Sequence, residues 1–171
     1  AFGRIISSLE GRQVVIPLSG GLDSRLVASM FKRSGYDNVL CFSYGMPGNW
    51  ESLDSRMYAK TLGYQWMEVP YSCALWKKAL DSEAMRQYWS YSANGASVPH
   101  CNDWPAAQAL GQHPGVSKDA VFVPGHTGDF ISGSHLKYLL DPAWHDDPHD
   151  FTGAMIKKHY SLWEDLPPLS G

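Results

Sequence analysis

Apolar and polar positions alternate in two rhythms along the first seventy residues. Phe2, Ile5, Ile6 and Leu9 recur at helical spacing, and Gly11 follows as a stop, so residues 2–9 are predicted to be a helix. Val14-Val15-Ile16 is a β-branched run that breaks at Ser19-Gly20-Gly21. Helical spacing returns at Leu22, Leu26, Val27 and Met30, which reads as an apolar helix face running to about residue 33, with Gly35 as its stop. Residues 39–43 form a second short strand, followed by the loop-forming run Tyr44-Gly45-Met46-Pro47-Gly48-Asn49. Residues 52–62 read as a helix, with Ser52 or Asp54 near its cap and Gly63 closing it. Residues 65–69 read as a third strand that ends at Pro70. The order β-α-β-α-β argues for an α/β protein: an open parallel sheet with right-handed crossovers and helices on both faces.

The pattern coarsens further along. Residues 73–90 read as one longer helix with Leu75, Trp76, Ala79, Leu80, Met85 and Trp89 apolar, a face expected to be core. Residues 92–105 are irregular, and Pro105 suits the first position of a helix running to residue 110. Residues 120–123 read as a fourth strand, with Pro124-Gly125-His126-Thr127-Gly128-Asp129 at its carboxyl end. The acidic and imidazole-bearing run 141–150 reads as a solvated loop rather than a metal site. Residues 151–163 carry one apolar stripe and read as a helix, closed by Pro167-Pro168. The expected organisation is a domain over 1–140, with 141–171 as a partial helical continuation.

The stretch with chemistry in it is Gln13 to Arg25, reading QVVIPLSGGLDSR. Strand, glycine-rich turn and helix in that order place backbone N–H groups at a helix N-terminus, where they bind phosphate. Gly20 and Gly21 are expected to supply a positive φ and a close approach for the anion, and Ser19 and Ser24 to add hydroxyl donors. Asp23 would repel a phosphate unless a cation lay between them, which reads as a Mg²⁺ ligand. The Lys of a Walker A loop is missing, and so is the Gly-x-Gly-x-x-Gly dinucleotide pattern. In open sheets, ligands sit beyond the carboxyl ends of the strands, so this loop and Ser43-Tyr44-Gly45 open to one edge.

Ser19, Gly20, Gly21, Asp23 and Ser24 resemble the Ser-Gly-Gly-x-Asp-Ser signature of the PP-loop ATP pyrophosphatases, and the chain is similar to the asparagine synthetase branch over residues ~10 to ~137. In that branch a second loop lies about a hundred residues on; Gly125, Asp129 and Gly133 match its first glycine, its metal-binding Asp and a later glycine. The resemblance implies an adenine nucleotide alpha hydrolase-like (HUP-type) sheet, with ATP and Mg²⁺ as cofactors. It implies Asp23 and Asp129 as metal ligands, and adenine against Pro17, Leu18, Ser43, Tyr44 and Gly125. It further implies adenylation of a small-molecule carboxylate, then amide formation with an amine or ammonia donor, releasing AMP and pyrophosphate. Asp129 and His126 are the catalytic candidates. His126 either touches the phosphates or adenylate, as a cation or as a base, or is a loop residue without a role.

The chain departs from the branch at several points. His126 stands where an acidic residue is usual, Phe130 replaces a second acid, and Pro124 replaces a Ser. Residue 1 is Ala rather than the nucleophilic Cys of an amino-terminal glutaminase domain, so that domain is expected to be absent here, and one elsewhere in a longer parent protein is a candidate partner. The helical segment that bears a catalytic Lys in the family is mostly missing by Gly171. Asparagine synthesis itself therefore does not follow, and the loosened second motif is more like those of polysaccharide and peptide-tailoring relatives. The competing reading is a non-catalytic nucleotide-binding domain with a decayed second motif. tRNA thiolation, a third reading, would need a cysteine pair and a basic face.

Composition narrows the classes. Hydrophobic content is 44% over 171 residues, ordinary for one domain. A net charge of −3 argues against a general nucleic-acid or membrane surface, and no apolar run approaches the ~20 residues of a membrane span. Cys41, Cys73 and Cys101 are widely spaced and form no Cys-x-x-Cys pair, so free thiols and a cytoplasmic setting are expected. His100 beside Cys101 is a weak metal signal.

Overall fold

The computed structural model describes residues 2–94 and 100–126. They build helix α1 (Phe2–Leu9), strand β1 (Val14–Pro17), α2 (Leu22–Arg33), β2 (Val39–Gly45), α3 (Trp50–Leu62), β3 (Gln65–Pro70), α4 (Cys73–Leu80), α5 (Glu83–Ala93), α6 (Trp104–Gly111) and β4 (Val121–Phe122). A 3₁₀ turn, Cys101–Asp103, leads into α6. The four strands form one parallel sheet in the order β3-β2-β1-β4. This is the expected α/β fold, with β1, the strand that carries the glycine-rich loop, in the interior of the sheet. Residues 1–125 form one compact unit, and a second begins at His126. The expected domain boundary near residue 140, and the helices expected after it, lie outside the described residues.

Strand alternation divides the core. Val14, Ile16, Leu18 and Cys41 are buried on one face with Leu9, Ala28 and Phe31, whereas Val15, Leu40 and Phe42 are buried on the other with Val69, Tyr71 and Leu110. Helices therefore cover both faces, as a parallel sheet requires. Positive φ at Gly11 (81°), Gly35 (73°) and Gly63 (73°) marks the stops expected after the first three helices.

Several local expectations change. The helix expected to start near Ser52 begins at Trp50, because the Asn49 side chain caps it, accepting from Ser52 N at 2.9 Å. The single helix expected over 73–90 is two helices, since Ser82 caps a new one by accepting from Met85 N at 3.1 Å. The apolar face read on α2 is right in part: Val27 packs against the core and Met30 is half-buried. Leu22 (76% exposed) and Leu26 (60%) face outward, and Ser24, Ala28 and Phe31 are buried instead.

Candidate functional site

The glycine-rich loop leaves the carboxyl end of β1 and is tied down at once. Leu18 N donates to Phe42 O of β2 at 2.8 Å. Ser19 N donates to Ser24 Oγ at 3.1 Å, the two serine hydroxyls lie 3.1 Å apart, and Gly21 N donates to Ser19 Oγ at 3.2 Å. The two serines thus brace the loop against the first turn of α2. Ser24 is buried, and because its hydroxyl must reach Ser19 N, it sets the rotation of the helix. Positions 28 and 31 then fall on the same buried face, one and two turns on.

Gly20 and Gly21 are not at positive φ, contrary to expectation; the positive-φ glycines among the described residues are elsewhere, and Gly21 is extended at φ −74°, ψ 160°. Their value is space. A Cβ on Gly20 would come 2.5 Å from Cζ3 of Trp50, and one on Gly21 3.3 Å from Ser19 Oγ. Behind the loop, Arg25 Nε donates to Gly21 O at 3.0 Å, and its guanidinium lies 4.4 Å from the Tyr58 ring centroid while donating to the Tyr58 hydroxyl. Arg25 thereby fastens the loop to α3, a connection that the sequence reading missed because residues 25 and 58 are far apart in the chain.

Asp23 sits in the first turn of α2, and its carboxylate takes no hydrogen bond or ion pair among the described residues. A carboxylate there is favoured by the helix dipole alone, and it is also a hard oxygen donor beside an array of N–H groups. The donor set fits Mg²⁺, which binds through one or two carboxylates together with phosphate oxygens. Gly125, after β4, comes directly against this turn. A Cβ on Gly125 would lie 2.7 Å from Ser24 N and 3.1 Å from Asp23 Cβ. The tertiary fold therefore brings Gly125 onto the turn that follows the first glycine loop. His126 is exposed and opens the second unit, and Asp129 and Phe130 lie outside the described residues.

The residues expected around adenine present mainly backbone. The Leu18 side chain is buried in the core, Pro17 is half-buried, and the Ser43 hydroxyl, buried too, lies 3.3 Å from Ser52 Oγ. Tyr44 turns to the opposite sheet face, where it stacks on Tyr71 and donates to Asp103. Burial, reinforced by the Asp103 carboxylate, pushes the Tyr44 phenol well above its ordinary range, so it stays a donor at neutral pH. Among the described residues no group of three His, Cys, Asp or Glu could hold a metal, which leaves the His100–Cys101 signal without support. No helix among them is long and apolar enough to cross a membrane. An open pocket of about 520 Å³ between Arg56, Lys60, Trp66 and Glu68 lies on the β3 edge, one strand removed from β1.

The family model described as asparagine synthase matches residues 9–87, which span β1, the loop and every element to the first half of α5. No curated protein matches the chain. Among solved structures it is similar to an NH3-dependent NAD synthetase from Campylobacter jejuni subsp. jejuni NCTC 11168 in complex with the nitrate ion. The identity is 16%, covering 99% of this chain and 95% of that one, with a TM-score of 0.44.

Proposed function

We propose that this protein, whose residues 9–87 match the asparagine synthase family model, adenylates a carboxylate with ATP and converts the adenylate to an amide, releasing AMP and pyrophosphate. One observation carries the reading. A braced Ser19–Ser24 loop at the carboxyl end of an inner parallel strand presents Asp23, unpartnered among the described residues, and Gly125 approaches it closely enough to exclude any side chain.

In this reading the β and γ phosphates of ATP lie over the loop, held by its backbone N–H groups and the N-terminus of α2. Asp23, with Asp129 as the resemblance implies, would hold Mg²⁺, which would neutralise phosphate charge and polarise the α-phosphorus. The substrate carboxylate attacks that phosphorus, and pyrophosphate leaves into the loop. Catalysis of this step is positioning and charge neutralisation, which a preorganised loop provides without a dedicated base. An amine or ammonia then attacks the acyl carbon and AMP departs. Adenine lies by the backbone of Pro17, Leu18, Ser43, Tyr44 and Gly125, and His126 contributes charge or a proton acceptor to the phosphates or the adenylate. The nitrogen donor is free amine, or ammonia delivered by a glutaminase domain of the parent protein. Three free cysteines, with Cys73 exposed, are consistent with a cytoplasmic setting.

The test is ATP–pyrophosphate exchange with Mg²⁺ across a panel of amino acids and sugar acids. Exchange that depends on one carboxylate and disappears with Asp23→Ala is the expected result. A chain that binds Mg-ATP and exchanges with no carboxylate would instead be the non-catalytic nucleotide-binding domain that His126 and Phe130 suggest.

A further inference from the structure

The open pocket on the β3 edge plays no part in the chemistry above, and its lining is charged in a definite pattern. Arg56 and Lys60, both exposed, stand one turn apart on α3 and so share one side of the helix. Among the described residues neither enters an ion pair: the pairs that form join Lys32 to Asp37, Arg86 to Glu83 and His100 to Asp103. Trp66 and Glu68, two residues apart in β3, face α3 by strand alternation. Trp66 Nε1 donates to Oγ of the buried Ser55 at 2.9 Å, which sets the plane of the ring, and the Arg56 guanidinium lies 5.9 Å from the ring centroid. Glu68 is half-buried; its Oε1 is closed off from solvent and has no hydrogen-bond partner among the described residues.

These groups select one kind of ligand. Two cations a turn apart meet on a single anion, and a phosphomonoester brings close to two negative charges and three acceptor oxygens for them. Arg takes such a group as a fork and Lys as a point charge. A carboxylate only accepts, so Glu68 needs a donor, and an ammonium supplies both N–H groups and the opposite charge. An oxygen buried without a donor is costly, and rotation about the last side-chain torsion, which is broad and two-fold, lets the carboxylate exchange its oxygens as a donor arrives. Two positive charges and one negative on the lining thus match a ligand with the reverse. The indole is a flat wall for a carbon ring, and about 520 Å³ is within the range of small-molecule sites. The pocket is also separate from the glycine loop. Trp50, whose ring edge meets Gly20, begins α3, and Lys60 lies about 15 Å farther along the helix axis.

We propose that this pocket binds a phosphomonoester that also carries a primary amine, with the phosphate on Arg56 and Lys60, the ammonium on Glu68 and the carbon body against Trp66. The site is independent of the adenylation reading and holds or fails without it.

Isothermal titration of the full chain with glucosamine 6-phosphate is the test. It is set beside glucose 6-phosphate, which lacks the amine, glucosamine, which lacks the phosphate, and inorganic phosphate. The first should bind, and each of the others at least about tenfold more weakly, the factor expected for one lost charged hydrogen bond. Glu68→Gln, which keeps the shape of the side chain, should weaken glucosamine 6-phosphate about tenfold and leave glucose 6-phosphate within about twofold. Arg56→Gln should weaken both sugar phosphates alike, and Arg56→Lys should recover part of the loss. Denaturant midpoints at the wild-type value separate a lost contact from a lost fold. Saturating Mg-ATP should leave the titration unaltered. No binding of glucosamine 6-phosphate, equal binding of any of the three controls, affinities unmoved by Glu68→Gln and Arg56→Gln, or displacement by Mg-ATP would overturn the assignment.

Discussion

Gly125 stands so close to Ser24 that a Cβ on it would come 2.7 Å from the Ser24 backbone nitrogen. That nitrogen belongs to the turn on which the Ser19–Ser24 loop closes, so Gly125 meets that turn backbone to backbone. Gly125→Ala must therefore push the β4 loop or the start of α2 away. The expected cost is about 1–3 kcal/mol of stability, the usual scale for overpacking, with a larger proportional loss of Mg-ATP affinity. Denaturant midpoints at constant m value, alongside nucleotide titration, check both.

Gly20→Ala offers a contrast. The atom its Cβ would meet, at 2.5 Å, is the ring edge of Trp50, a side chain 65% exposed. An exposed ring can swing aside where a helix backbone cannot. The stability cost should stay below about 1 kcal/mol. The tryptophan emission should change, and Trp50→Ala should remove that change when the two substitutions are combined. Non-additivity in that double-mutant cycle is the signature of direct contact.

Arg25 ties Gly21 O to the ring and hydroxyl of Tyr58. Arg25→Ala should weaken Mg-ATP binding several-fold through a looser loop, and lower stability by about 1 kcal/mol. Arg25→Lys should restore little, because an ammonium cannot stack flat on Tyr58 and also reach the Gly21 carbonyl. Isothermal titration of the three proteins with Mg-ATP decides the point.

Cys41 gives a pH dependence with a definite sign. Burial pushes its thiol up from 9.0 to about 12, in the sheet interior where it is fully buried. Between those values the unfolded chain has released the proton and the folded chain keeps it. Stability is therefore whole below about pH 9 and falls as pH rises, by at most about 1.4 kcal/mol per pH unit from this group. Cys41→Ala should flatten the slope of stability between pH 9 and 10, before the raised tyrosines Tyr44 and Tyr71 add to it. Denaturant unfolding across that range measures it.

Much of this protein could be read along the chain because its determinants are local. Val14 to Ile16, the Ser19–Ser24 loop and the following helix are contiguous, so strand, glycine-rich loop and parallel topology follow from order and spacing alone. The helix stops at Gly35 and Gly63 were legible for the same reason, since a left-handed residue needs a glycine wherever the chain then goes. The alternative helix phase of α2 was not. Leucine spacing pointed outward, and only the bond from Ser19 N to Ser24 Oγ, a consequence of how the loop folds back, rotates Ala28 and Phe31 into the core.

The remaining features depend on pairs of residues distant in sequence. Gly125 meets Ser24 because β4 lies beside β1, and Arg25 meets Tyr58 because α2 and α3 share a sheet face. Tyr44 reaches Asp103 because β2 and the turn before α6 close over the opposite face. Spacing along one chain carries no register between such segments. The sequence by itself determined the elements and the glycine-rich turn that joins β1 to α2. Only the packing of the sheet decided which side chains stand around that loop, and which were withdrawn into the core.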